Sequence, residues 1–328
     1  MTMATETKTA RWKLVVGYGA FSLVAFVLCL FLTFPYDTLR GRAVDAAADA
    51  GFALRIGSLR PGLRGLTATQ VRLSKVPNGV TPELRGMLAS NAALLPGPEE
   101  LGEPLAIDAA AVRPSLFPLG VAFHLDMLGG NVAGNVGGLS DVQLSVKLAD
   151  LDPSKGNLKG FSGVDLVGKL NGTLNVAMPK TRGQPDLSQA NGQLVLDTKE
   201  LIIQGGNVIV PMYGQPTPFD LPRIALGNID ARIRIEKGLG TVETMQARSE
   251  DLEIQGSGTV KFGQRLDVSQ PDMDFKLRAE PEFVKRLGIL GAGLTMLPAD
   301  KEDPKFRVAH LGGFFNRPNF GPARPQMR

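Results

Sequence analysis

The stretch Leu252–Phe262, LEIQGSGTVKF, alternates without a break. Leu252, Ile254, Gly256, Gly258, Val260 and Phe262 fall on one side, and Glu253, Gln255, Ser257, Thr259 and Lys261 on the other. A period of two is what a β-strand imposes, because successive side chains leave opposite faces of the pleat. An apolar side set against a polar one predicts an antiparallel sheet with one face turned from water. The alternation recurs at 142–148, at 164–176 (Val164, Leu166, Leu170, Leu174, Val176), at 229–235 and at 273–279. These are among a dozen or more segments parted by Gly, Asn, Asp and Pro turns. Glycines inside the strands, Gly168, Gly172, Gly256 and Gly258, weaken strand propensity but permit the coiling that a large sheet needs.

Helical patterns are few. Residues 37–50 are Ala-rich, open on an Asp/Thr cap and close at Gly51; a weaker pattern covers 82–93, and another covers 281–297. That is too little helix to cover the apolar side of so many strands. The expected fold is therefore mainly β: an elongated, curved antiparallel sheet that forms a groove or a partly closed sandwich. A groove would be lined by Leu166, Leu170, Leu174, Ile254, Val260 and Phe262.

From Leu14 to Phe34 the chain reads LVVGYGAFSLVAFVLCLFLTF, 21 residues without a charge. As a helix the run rises about 31 Å, close to the roughly 30 Å of a hydrocarbon core. It is expected to be a transmembrane anchor that includes Leu14, Val15, Phe21, Phe26, Leu30 and Phe34. A cleaved signal peptide is the weaker reading, since the apolar part of such a peptide runs about 7 to 15 residues and ends close to its cleavage site. Here the nearest Ala-x-Ala, Ala46 to Ala48, lies well past the run. A lipoprotein signal would need small residues before Cys29, where Phe26, Val27 and Leu28 stand. Lys8, Arg11 and Lys13 on the short tail, against Arg40 and Arg42 beyond the run, put the tail in the cytoplasm and the body outside it. An outer-membrane barrel would also alternate, but one Trp and three Tyr cannot build two aromatic girdles.

The chain thus divides into a cytoplasmic tail (1–13), a transmembrane helix (14–34), a short juxtamembrane helix (35–51) and a β domain (52–304). The β domain carries a Pro/Gly-rich insert at 77–104 and a helix at 281–297, and a final strand with a basic, Pro-rich tail follows at 305–328. The formal charge of +4 is uneven: residues 1–34 contribute +2 and residues 305–328 contribute +5, which leaves −3 for the middle. A basic stripe along the body, the footprint of nucleic-acid binding, is therefore absent.

The stretch DAGFALRIGSLRPGLRGLTATQVRLSK (Asp49–Lys75), directly behind an apolar helix and a short helix, resembles the opening of the AsmA-like superfamily of envelope proteins. VRPSLFPLG (Val112–Gly120), LGGNVAGNVGG (Leu128–Gly138), LEIQGSGTVKF and HLGGFFNRPNF (His310–Phe320) resemble the N protein of type II secretion systems, the GspN family. The likeness runs from Leu14 to Phe320, carried by order and spacing. It implies a single-pass inner-membrane protein with a periplasmic β domain that accompanies the secretion machinery. It brings no catalytic residues.

The residues give little chemistry of their own. His124 and His310 stand far apart in strand-like runs, and no nucleophile, base and orienting group can be assembled around either. The run GGNVAGNVGG lacks the Lys-Ser/Thr of a phosphate loop and reads as turns between strands. Glu99, Glu100 and Glu103 sit among prolines as a solvated loop, and Asn171-Gly172-Thr173 is a chance glycosylation match. The lone Cys29 excludes a disulfide framework or thiolate metal cluster. The basic end, with Pro318, Pro322 and Pro325, reads as a frayed terminus. No cofactor, metal or enzymatic activity is expected. The leading expectation is a non-enzymatic interaction protein, with the inner membrane and other type II secretion components as partners. Its rival is an AsmA-like carrier that holds the acyl chains of phospholipid in an apolar β-groove.

Overall fold

The computed structural model describes residues 16–19, 21–22, 25–26, 36–49, 52–62, 65–75, 104–159, 164–181, 183–212, 215–315 and 317–322. A helix α1 (Tyr36–Asp49) leads into the first strand and packs on it, with Val44 buried. Sixteen strands follow: β1 (Phe52–Gly62), β2 (Gly65–Lys75), β3 (Leu105–Leu116), β4 (Leu119–Met127), β5 (Gly130–Gly137), β6 (Asp141–Leu151), β7 (Val164–Thr181) and β8 (Gln184–Pro185). Then come β9 (Asn191–Met212), β10 (Gln215–Leu221), β11 (Ile224–Glu236), β12 (Leu239–Arg248), β13 (Leu252–Lys261) and β14 (Gln270–Ala279). Helices α2 (Pro281–Arg286) and α3 (Ile289–Met296) precede β15 (Arg307–Phe314) and β16 (Arg317–Pro322).

All the long strands lie in one antiparallel sheet, in the order β1-β2-β3-β4-β5-β6-β7-β9-β11-β12-β13-β14-β15-β16. Each pairs with its neighbour in sequence, except that β8 folds back on β7 and β10 folds back on the far half of β9. Among the described residues β1 and β16 end the path and do not pair with each other, so the sheet they form is open. Of the two expected outcomes, closure into a sandwich and an open sheet, the chain adopts the open one.

Register shifts punctuate the ladder, at Ile107/Ala109 in β3, Leu148/Leu151 in β6, Val167/Lys169 in β7 and Arg232/Ile233 in β11. Such bulges bend a strand and increase its twist. Two of them leave a residue in the left-handed region, at Asp150 and Glu200.

Three local expectations need correction. The helix expected over 281–297 is two helices, because Gly288 takes φ 58° between them and breaks the hydrogen-bond run. The Gly-rich run at 129–138 is a strand, β5, with turns only at its ends. Gly134 serves there as a notch, since a Cβ would meet the Phe123 ring of β4. The basic end is not simply frayed: residues 317–322 form β16, with Pro318 opposite Gly313 and Pro322 opposite Ala309. Prolines suit a strand that has a single neighbour, where a missing N–H breaks no second ladder. The pattern at 82–93 and Glu99, Glu100 and Glu103 lie outside the described residues.

Among the described residues no helix is long and apolar enough to cross a membrane. Within the apolar run, residues 16–19, 21–22 and 25–26 are helical, with Phe21 and Phe26 exposed. Leu14, Val15, Leu30 and Phe34 lie outside the described residues.

Candidate functional site

The register places one kind of side chain on one face of the whole sheet. Ile254 in β13 stands opposite Leu277 in β14 on one side and Ala247 in β12 on the other. Phe275 pairs onward with Ala309, and Leu311 with Phe320 at the β16 edge. Toward the start of the chain, Met245 pairs with Ala231, Ala231 with Leu196, Leu196 with Gly172 and Gly172 with Leu148. Leu148 then faces Val132, Val132 faces Leu125, Leu125 faces Ala110, Ala110 faces Ala68 and Ala68 faces Leu59 in β1. One apolar band therefore crosses all 14 strands of the path. With 13 gaps of about 4.8 Å it is roughly 60 Å long.

The opposite face is polar. Glu253 pairs with Arg278, Arg234 with Glu243, and Arg232 lies 3.3 Å from Asp230. The Ser145 hydroxyl donates to Asn175 at 2.7 Å, and Ser58 and Thr69 share a bond of 2.7 Å. Both histidines belong here: His124 lies 3.1 Å from Asp126, and His310 Nδ1 lies 2.9 Å from Asp274 with Nε2 3.4 Å from Asp272. Among the described residues no group of three His, Cys, Asp or Glu is arranged to hold a metal ion.

What distinguishes the apolar band is that little covers it. Leu144, Val146, Leu148, Leu174, Leu194, Leu196, Ile229, Ile233 and Ile254 are half-buried, and Val112, Val121 and Val136 are exposed to about 40%. Among the described residues, three buried apolar clusters draw mainly on strands of this one sheet. Among the described residues no second sheet lies against it, although domains ordinarily bury such a face between two layers. A band about 60 Å long and four alternate residues wide exceeds by far the few hundred Å² of apolar patch that soluble monomers usually leave open.

The residues expected to line a groove are not equivalent. Leu170 packs with Leu73, Met127, Val132 and Leu148 against the buried Leu105, Leu128 and Leu151. Leu174 and Phe262 belong to another cluster, built on Val176, Ala190 and Ile235. Phe262 follows β13, held by its N–H to the Gly238 carbonyl at 2.7 Å, and its ring fills the notch above Gly240. Ile254 is half-buried in the open band, and Val260, nearby on the same face, is buried. Leu166 pairs with Ile203; the register shift between it and Leu170 has its extra residue in β9, so Leu166 keeps the face of Leu170 along β7.

Among the described residues two caps on the face are each fixed by a buried carboxylate, and neither was legible in the hydrophobic pattern. After β7 the segment 186–190 lays Leu187 and Ala190 over Val176 and Ile235. It is fixed by the buried Asp186, which accepts from the Ser188 hydroxyl at 2.6 Å, the Ser188 N–H at 3.0 Å and Thr181 at 3.0 Å. The Ser188 hydroxyl is the main reason that this carboxyl is held below the usual range. The signal in sequence is Asp-x-Ser, also found at Asp152-Pro153-Ser154.

At the other end of the strands, α2 and α3 cover the β14–β15 part of the face. Asp251, buried in the β12–β13 turn, accepts from Arg286 of α2 and from the Ala225 N–H at 3.1 Å, and its own carbonyl accepts from the Glu280 N–H at 3.1 Å. Phe283 is only 2% exposed. On the polar side Lys276 bonds Asp300 and Glu302, each at 2.9 Å. The Asp300 bond foremost, then the Glu302 bond, raises the lysine above its ordinary value, and the lysine holds Asp300 below its own.

Comparison of the chain with family models, with characterised proteins and with solved structures finds no match.

Proposed function

We propose that this chain is a non-enzymatic, inner-membrane-anchored carrier of AsmA-like type whose periplasmic sheet holds the acyl chains of phospholipid along its apolar face. The observation that supports this reading is the half-exposed apolar band that crosses 14 strands without a second layer among the described residues. Acyl chains are the natural occupant, because they need a long, continuous, non-directional apolar surface and make no demand for polar partners. The anchor rests on the uncharged run at 14–34, and the orientation on Lys8, Arg11 and Lys13.

A second reading makes the chain a component of type II secretion that binds other secretion proteins. It rests on the resemblance at 112–138 and 310–320 and on the terminal strands. Among the described residues β1 and β16 each have a single strand neighbour, an edge that would offer a backbone ladder to a partner's strand.

The test is the lipid content of the full chain, purified in mild detergent beside a variant carrying Leu148→Asp, Leu196→Asp and Ile254→Asp. The carrier reading expects stoichiometric phospholipid on the wild type, several-fold less on the variant, and normal type II secretion in a deletion strain. Equal lipid on both proteins, with secretion lost on deletion, would overturn it in favour of the secretion component.

A further inference from the structure

A cavity of about 390 Å³ lies between the apolar face and the helical pair. Leu277 and Ala279 of β14 form its floor; Pro281, Val284, Leu294 and Thr295 of the helical segment form its roof; Pro304, Lys305 and Arg307 stand on its remaining side. Its size falls in the range of small-molecule sites, about 300 to 1,000 Å³. The floor residues continue the band, since Leu277 pairs with Ile254 and Ala279 with Leu252. The cavity is thus the place where the open face runs under cover.

Its charge is one-sided. Lys305 and Arg307 are the only ionisable residues among those lining it, and neither forms an ion pair with a described residue. The acids nearest in sequence are otherwise engaged. Asp300 and Glu302 hold Lys276 on the polar side, and the Asp303 carboxylate accepts the Lys305 backbone N–H at 3.0 Å. Arg307 is steadied by one bond, from Nη1 to the Leu297 carbonyl at 3.3 Å, which leaves most of its donors unused. Apolar walls with two unpaired cations beside them are complementary to one chemical class, an acyl chain that ends in an anionic head.

We propose that this cavity is a headgroup-selective site for anionic phospholipid: it takes the chain end of the lipid between α3 and β14 while Lys305 and Arg307 hold its phosphate. The inference rests on the carrier reading and adds to it a preferred substrate class and a place of selection. The rest of the band is indifferent to headgroups; the cavity beside β15 is where charge is read. Each cation near a lipid phosphate contributes roughly a five-fold preference.

The experiment offers the full chain in detergent an equimolar mixture of phosphatidylglycerol and phosphatidylcholine and counts bound lipids of each class by native mass spectrometry. Wild type should be enriched at least five-fold in the anionic lipid. A Lys305→Gln, Arg307→Gln double variant should bind the same total with the preference gone, while Leu294→Trp, which fills the cavity, should lose the anionic lipid alone. A melting temperature unchanged in both variants shows that the fold has survived. Lipid bound without preference, or a preference that the double variant keeps, overturns the selective site and leaves the carrier reading standing. Wild type without any bound lipid removes the carrier reading itself. Inorganic phosphate added in excess separates the sources: if it abolishes the preference at unchanged total lipid, the cations read phosphate wherever it comes from; if it has no effect, the acyl chain is needed to bring the head to them.

Discussion

The side-chain carbonyl of Asn228 in β11 accepts the backbone N–H of Glu200 in β9 at 3.0 Å, and Glu200 is a non-glycine residue held at φ 49°. The arrangement recurs twice. Asn171 accepts from Asp150, at φ 51°, at 2.8 Å, and Asn191 accepts from Lys237, at φ 49°, at 2.9 Å. A bulge or turn that turns one N–H out of the ladder leaves a donor to be satisfied, and an asparagine on the adjacent strand supplies the acceptor.

Replacing Asn228 or Asn171 by Ala should therefore destabilise the sheet by about 1 kcal/mol each, the worth of a hydrogen bond whose donor is left behind. Glu200→Gly should cost less or stabilise, because it relieves the left-handed backbone that an L residue occupies at about 1 kcal/mol or more. Thermal melts of the three variants, monitored by circular dichroism at strand wavelengths, check the ordering.

Ile254→Asp and Gln255→Asp place the same carboxylate on opposite faces. The first puts it among Ala247, Leu277 and the rest of the band; the second puts it on an exposed polar position. Since Ile254 is half-buried, its replacement should cost about 1 to 3 kcal/mol and reduce bound lipid, against less than about 0.5 kcal/mol and no lipid effect at Gln255. Equal effects on melting and lipid would show that the two faces are not distinct.

Asp251 joins three elements, and its loss should be felt at the helices. Asp251→Ala leaves the Ala225 N–H and the Arg286 guanidinium without their acceptor, at a cost of about 2 to 4 kcal/mol. Limited proteolysis should then cut within 281–297 before the strands are attacked. Cleavage at the wild-type rate would separate the helices from this anchor.

Acid and alkali should loosen the 297–306 segment from β14 in opposite ways. Asp300 is held below its ordinary value, so its contribution is present above about pH 4 and is lost as the pH falls through its folded value. Lys276 is raised, so its contribution is complete below about pH 10 and is lost only as the pH rises through its folded value. Lys276→Met should flatten both limbs, read as hydrogen exchange of the Val308 amide, which donates to the Pro298 carbonyl at 2.9 Å.

The strands themselves were legible from the chain. Leu252–Lys261 needs only the alternation of Ile254 with Gln255, and the absence of helical pattern implied a face without cover. What period two does not carry is position across a bulge. It keeps Leu166 with Leu170 along β7 but does not show that an extra residue in β9 changes their partners, nor that Phe262, just past β13, meets Gly240. The β5 strand was misread because Gly134 and Gly137 dilute the signal of Val132 and Val136, and β16 because prolines argue against a strand unless it ends the sheet. The cavity beside Arg307 was beyond reach, since it joins residues 277, 294 and 307: Gly288 can signal a helix end, but not where the two halves then pack.

The order of the strands has a consequence for how such a molecule changes over evolutionary time. Because nearly every strand pairs with the one that follows it, the sheet is built by addition, and a duplicated or deleted hairpin alters its length by about 10 Å without crossing any other connection. Contacts stay close in sequence, so the growing chain can register each hairpin on the last, with no need to wait for its far end. The molecule is in this sense a tape measure with specialised ends: α1 packs on the first strand, proline-bearing β16 closes the last, and the span between them is free to be set in hairpin-sized steps.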